Sequence, residues 1–325
     1  MFHAFRLAIR QVPTPLAGLA LGIAALGACW ELYSPHQGQM ALASAALAGG
    51  LLLAVLCKFV FNPLLLWRDL AHPVVGGVVP TFSMAAMVIS DALHPITPSL
   101  AGGIWLLAVA LHLTFLLLFA LHRIRKFELH HMAPSWFVPP VGIVSAALTC
   151  PPEAIELARN LMWFGLISYC LLLPLMLYRL IFAKRLPRAA RPILAILAAP
   201  ANLCLAGYIS IIDEPSILLI AVLGTIAQLM TLIIYMAFFQ LLRLPFSSSH
   251  AAFAFPVAVS ALAMLLLTDT LQALGAPGDV IGQVGWLASA QLGLASLMVL
   301  YVSGRLLLHW IRSFSASAAE VAGTD

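Results

Sequence analysis

The residues of this chain that could do chemistry are few and poorly spaced for it. His130 and His131 are adjacent, and neighbours in a helix do not share a face. His112 stands by itself in a long apolar run, without the second ligand that a haem or metal wants. No phosphate-binding loop, nucleophile elbow or working pair of acids is present, so the chain does not read as an enzyme and neither a metal nor a cofactor is expected. Cys29, Cys57, Cys150, Cys170 and Cys204 are odd in number and widely spaced, and read as reduced packing residues. What remains is a scatter of small polar groups: Thr81, Ser83, Ser145, Thr149, Asn202, Ser210, Ser260 and Thr268. Each could be a packing group; together they suit a permeant that needs weak contacts, since a permeant must also leave.

One stretch stands apart. Phe253-Ala254-Phe255-Pro256 places a proline and two aromatics inside the apolar run 251–267. Proline removes a backbone donor, and in lipid the resulting helix break is tolerated only against protein or a water-filled cavity. The stretch must therefore face an interior. Helical geometry puts Phe253 and Phe255 about 200° apart and leaves open which of them faces it.

The elements that enclose such an interior follow from composition. With 63% apolar and 9% charged residues and a mean hydropathy of +1.04, the 325 residues exclude a soluble protein and describe an all-α polytopic membrane protein. Ten apolar runs are expected as transmembrane helices: 14–33, 40–61, 74–94, 99–121, 135–150, 157–182, 190–212, 216–241, 250–270 and 281–310. The first follows Arg6 and Arg10 but continues to Trp30 without a convincing cleavage site, so it reads as a retained helix. The whole chain, 1–325, reads as one transmembrane domain with short cytoplasmic tails at 1–12 and 313–325.

Charge supports ten spans with both termini in the cytoplasm. Arg6 and Arg10, Lys58 and Arg68, Arg123 to Lys126, Arg179 to Arg191, Arg243, and Arg305 and Arg312 all fall on one side, leaving Arg159 on the other with Glu31, Asp91, Glu153, Glu156, Asp213, Glu214, Asp269 and Asp279. Trp30, Trp105, Trp163 and Trp286 on one side, and Trp67, Trp136 and Trp310 on the other, read as interfacial belts.

A repeat underlies this map. Pro15, Pro80, Pro139 with Pro140, Pro200 and Pro256 recur at intervals of about 60 residues, each in the inner part of an odd-numbered span. The reading is five helical hairpins around a central pore, proline-broken odd helices inside and leucine-rich even helices outside, facing lipid. Gly18, Gly22, Gly76, Gly77 and Gly142 would let the odd helices approach closely. No Asp, Glu, Lys or Arg lies near the middle of an odd span, so an intramembrane carboxylate coupling transport to protons is not evident. The basic inner end favours an anion as permeant.

Four motifs carry a family resemblance across essentially the whole chain: His72-Pro73-Val74 leading to Pro80-Thr81 and Met84; Pro134-Ser135-Trp136-Phe137-Val138-Pro139 with Gly142; Ala199-Pro200 followed by Tyr208 and Ser210; and Phe253-Ala254-Phe255-Pro256. They resemble the tellurite-resistance/dicarboxylate transporter family, which includes bacterial TehA proteins, yeast malate and sulfite carriers and plant slow-type anion channels. The resemblance implies ten helices as five hairpins, a homotrimer of separate pores in a bacterial inner membrane, and Phe255 as the residue that plugs the pore. It implies Gly18 as a pore-lining glycine, with Ala20 standing where the family often has proline. Pro80, Thr81, Pro139, Gly142, Pro200, Asn202, Pro256 and Ser260 are the further pore-lining candidates. The expected partners are small inorganic or carboxylate anions and membrane lipid, not nucleic acid. A passive anion channel is the leading expectation; a coupled carrier for a dicarboxylate, sulfite or tellurite-related anion is the alternative, and a non-transporting scaffold a weaker third.

Overall fold

Proline and hydrogen-bond geometry shape each helix entry in this computed structural model, which describes residues 6, 9–34, 36–125 and 127–322, with side chains as far as His309. Lys126, most of the amino-terminal tail, residues 323–325 and the side chains of Trp310 and Arg312 lie outside the described residues. The chain runs through α1 (Leu16–Tyr33), α2 (Gln39–Phe61), α3 (Pro63–Ala71), α4 (Thr81–Leu93), α5 (Pro98–Arg125), α6 (Val138–Val141), α7 (Ser145–Leu148), α8 (Ile155–Phe182), α9 (Ala199–Ile211), α10 (Ile217–Leu241), α11 (Ala254–Ala273) and α12 (Gly278–Ala322). Among the described residues there is no strand.

Eight stretches are long and apolar enough to cross a membrane: Leu16–Tyr33, Gln39–Phe61, Pro98–Arg125, Pro152–Phe182, Arg188–Ile211, Ile217–Leu241, Ser248–Ala273 and Gly278–His309. At the third and fifth expected spans the apolar helical segments are shorter, Thr81–Leu93 and Pro134–Leu148. The protein is thus an all-helical, multi-pass membrane protein. The short helix α3, opened by Pro63 at its first position, was not expected from the sequence.

The expected helix breaks take a different form. Pro15 and Pro80 are the caps from which α1 and α4 start, and Pro139, Pro200 and Pro256 lie in the first turns of α6, α9 and α11. In a first turn the missing amide hydrogen has no intrahelical partner to lose. Ahead of each proline the chain is wound more tightly. The amides of Leu16, Ala17 and Gly18 bond to the third residue back, at Pro13, Thr14 and Pro15, residues 73–80 form consecutive turns, and Pro134–Phe137, Arg188–Ala198 and Ser248–Phe253 are 3-10 helix. The proline series therefore marks five junctions between a tight entry and an α-helix, not kinks within continuous helices. An eleven-residue 3-10 stretch is long for that geometry.

Contacts close a ring in chain order. α1 packs on α4, α4 on α7, α7 on α9, α9 on α11, and α11 back on α1. The remaining long helices brace it from outside: α2 lies against α1 and α4, α5 against α4 and α6, α8 against α6, α7 and α9, α10 against α9, and α12 against α11 and α1. Burial follows this division, with 61% to 78% of the apolar window buried in the three long ring stretches and 22% to 39% in the five bracing ones. Leu107, Leu171, Leu218 and Phe239 on bracing helices are exposed, as lipid-facing side chains would be.

Small residues set the close approaches, as expected where lipid removes any hydrophobic drive between helices. Val144 is wedged between Gly165 of α8 and Gly207 of α9; a Cβ at either glycine would lie 2.3 or 2.4 Å from its methyl groups. His112, fully buried on α5, ties two ring elements together: its Nε2 lies 2.9 Å from the Pro139 carbonyl and its Nδ1 3.0 Å from Ser83 Oγ. The histidine that stood without a second ligand is a strut. Two of the expected belt tryptophans are also core residues, Trp105 at 1% exposure and Trp136 at 7%, the latter donating from Nε1 to the Pro73 carbonyl at 2.8 Å. Trp30, Trp67, Trp163 and Trp286 are exposed.

Candidate functional site

The five tight entries surround one cavity of about 620 Å³. Pro13, Thr14 and Pro15 come from the first, Val74, Val75 and Val78 from the second, Phe137 and Val138 from the third, Pro187, Ala189, Ala190, Ile193 and Ile196 from the fourth, and Ser248, Ser249, Ala251 and Ala252 from the fifth. Its inner end is formed by Gly18, Met84, Gly142, Leu203, Phe255 and Pro256. Farther along the ring helices, Leu21, Met87, Ala146, Ala206 and Val259 are all fully buried. The cavity is therefore blind, open toward the chain's arginine-rich loops and closed about where the tight entries give way to α-helix.

Phe255 and Phe253 are separated by their surroundings. Phe255 lines the cavity and is half-buried. Phe253 is fully buried, its ring 5.0 Å from that of Phe238 and 5.1 Å from that of His250. The backbone at Phe255 is held from behind by Gly22, where a Cβ would lie 2.4 Å from Ala254 Cβ and 2.9 Å from the Phe255 nitrogen. Gly18, one turn earlier, is not a close-packing glycine: nothing approaches its Cβ position nearer than 3.9 Å, and the atoms there are Thr81 Oγ1 and the Ala251 carbonyl.

Of the other sequence candidates, Thr81, Gly142, Pro200 and Pro256 join the lining, whereas Pro80, Pro139, Asn202 and Ser260 lie outside it. Asn202 points away, donating from Nδ2 to Thr231 Oγ1 at 2.8 Å and to the Ala198 carbonyl at 2.7 Å, which fastens α9 to α10. Ser260 donates to the Val257 carbonyl. Pro80 and Pro139 contribute carbonyls to buried hydrogen bonds with Ser83 and His112.

The lining is mostly apolar, with one ion pair that sequence reasoning missed. Lys58 Nζ lies 3.1 Å from Asp69 Oδ2, and both groups meet Thr14 Oγ1, at 2.6 and 2.5 Å. The hydroxyl accepts from the ammonium and donates to the carboxylate. This pair contributes no net charge to the wall. Two more cations counted in the basic inner end are buried struts, Arg123 bonded to the Ala71 carbonyl and Arg179 to the His130 carbonyl. His72, also in the lining, accepts amide hydrogens from Val74 and Val75 at Nδ1. Burial, then the nearby Arg123, holds its imidazole below the ordinary histidine value and so uncharged at neutral pH. At the far end, Ser90, Asp91, His94 and Trp105 line a separate cavity of about 230 Å³.

The one hydroxyl in the wall that meets a carboxylate, that of Thr14, is held between Lys58 and Asp69. The cavity offers an apolar, nearly neutral chamber, entered from a basic end and closed by bulky side chains. Comparison with known proteins agrees with a transport role. The family model described as SLAC1, voltage-dependent anion channel, matches residues 11–307. Two proteins of Methanocaldococcus jannaschii, each named an uncharacterized transporter, are 26% identical to the chain over 215 and 228 residues, 58% and 62% of this chain. Those matches span 62% and 67% of the relatives' own lengths, so the chain covers less than two thirds of the first.

Proposed function

Because the chain belongs to the SLAC1 family, we propose that it is a passive anion channel in which Phe255 occludes a nearly uncharged pore. The observation that carries the reading is the blind cavity: five ring elements converge on it, and Phe255 stands where it ends. In this reading all ten apolar segments cross the membrane as five hairpins, both termini lie in the cytoplasm, and the chain assembles as a homotrimer of separate pores in a bacterial inner membrane. Gly18, Thr81, Gly142, Pro200 and Pro256 line the path beside Phe255. Displacement of the Phe255 ring joins the cavity to the far side.

The chemistry fits an anion. A lining with one neutralised ion pair offers no deep well, so a permeant that enters can leave, and basic loops at the mouth raise local anion concentration. Moving one charge through 100 mV is worth about 2.3 kcal/mol, so the membrane potential suffices to drive flux without a coupling ion. The test is uptake of small anions, chloride and a dicarboxylate among them, into proteoliposomes under an imposed potential with no pH gradient. Uptake that follows the potential supports the channel; uptake that appears only with a pH gradient contradicts it and favours the coupled carrier. That second reading rests on Lys58 and Asp69, the ionisable pair in the cavity wall.

A further inference from the structure

We propose that Glu128, His130 and His131 form a binding site for a divalent transition cation, with zinc as the representative ion. The turn Leu129–His131 is 3-10 helix, in which side chains three residues apart eclipse; this sets His131 over Glu128, while the His130 ring tilts back to lie 4.2 Å from that of His131. Glu128 supplies the shared carboxylate. His130 Nε2 lies 3.3 Å and His131 Nδ1 3.8 Å from Glu128 Oε2, and the three ligand atoms all lie within 4.8 Å of one another. Around a tetrahedral zinc with bonds of about 2.0–2.1 Å, ligand atoms stand roughly 3.3 Å apart. One contact already has that spacing, and the two imidazole nitrogens, within 4.8 Å of each other, need to close by about 1.5 Å at most. Their side chains are 56% and 38% exposed and free to make that adjustment.

Two histidines and a carboxylate leave a fourth position for water, an established zinc donor set. Arg123 and Arg125 at the end of the preceding helix place positive charge nearby. That field disfavours hard cations held by charge, such as magnesium, and leaves the advantage to metals that bond strongly to imidazole nitrogen.

The turn is not an isolated surface feature. Its His130 carbonyl accepts from the buried Arg179 at 3.1 Å, and the next residues, Met132 and Ala133, are fully buried and lead directly into the tight entry Pro134–Phe137 that lines the main cavity. Metal bound here would fix the approach to one of the five cavity walls, independently of what the cavity conducts.

Calorimetric titration of the tag-free full chain in detergent with zinc chloride tests the site, with magnesium chloride as the comparison. The expected result is one zinc per chain and no magnesium binding, with affinity weakened about tenfold or more in His130→Ala/His131→Ala and in Glu128→Gln. His36→Ala/His94→Ala, at the other end of the molecule, leaves the titration unchanged. Cobalt supplies a second readout, because its visible absorption in a four-coordinate site appears with the wild type and is lost in the double variant. No zinc bound by the wild type, or undiminished binding by the double variant, overturns the proposal.

Discussion

At Gly22 an added Cβ would lie 2.4 Å from Ala254 Cβ and 2.8 Å from the Ala254 carbonyl carbon, so α1 and α11 must separate to accept it. Gly22→Ala is expected to cost about 1–3 kcal/mol by overpacking and to displace the Phe255 backbone with it. Gly18→Ala, with nothing nearer than 3.9 Å, should leave stability unchanged. Denaturation in mixed detergent checks both. At the cavity wall, Asp69→Asn leaves the Lys58 ammonium without its carboxylate. With Asp69 at 23% side-chain exposure, the loss should sit at or below the lower end of the roughly 3–5 kcal/mol seen when a buried pair is broken. The freed charge should also shift the reversal potential in a salt gradient toward the anion's equilibrium value. The phenylalanine motif stands out in the sequence by its proline and aromatics, whereas the choice of Phe255 over Phe253 and of Gly18 came from the family resemblance. The Thr14, Lys58 and Asp69 cluster was not legible there, because its members are 44 and 55 residues apart and meet only after α2 and α3 fold back on the first entry.

Proline spacing made the five ring elements legible, but it did not distinguish a kink from a junction. That distinction lies in whether amides reach back three residues or four, which composition does not encode. It has a measurable consequence. A proline in mid-helix weakens the helix by about 3 kcal/mol or more, so its removal there would stabilise strongly. Pro200 occupies the second position of α9, where the chain passes from 3-10 to α winding and proline is well tolerated. Pro200→Ala is therefore expected to change unfolding free energy by less than about 1 kcal/mol. The third run reads as a full span in the sequence and the fifth as a short one, and in both the α-helical portion is shorter than the run because turns and 3-10 segments take up the rest. A hydropathy pattern reports apolar length and is blind to how tightly that length is wound.

Across the whole molecule, the ring, its bracing helices and the blind cavity require a single sidedness. Cysteines introduced at Gln37, beside α1, and at Arg243, after α10, should be labelled from opposite faces of the membrane by an impermeant thiol reagent; labelling of both from one face would contradict the ten-crossing arrangement. Charge distribution is the basis of this expected sidedness; Arg123 and Arg179, counted toward it, are buried struts. The central claim is that Phe255 closes an otherwise continuous anion path. Planar-bilayer currents of wild type and Phe255→Ala, in symmetric salt over a voltage ramp, test it most directly. The account predicts a large rise in anion current in Phe255→Ala with selectivity retained, and no such rise in Phe253→Ala, whose ring is packed in the core. Equal currents in wild type and Phe255→Ala would contradict it.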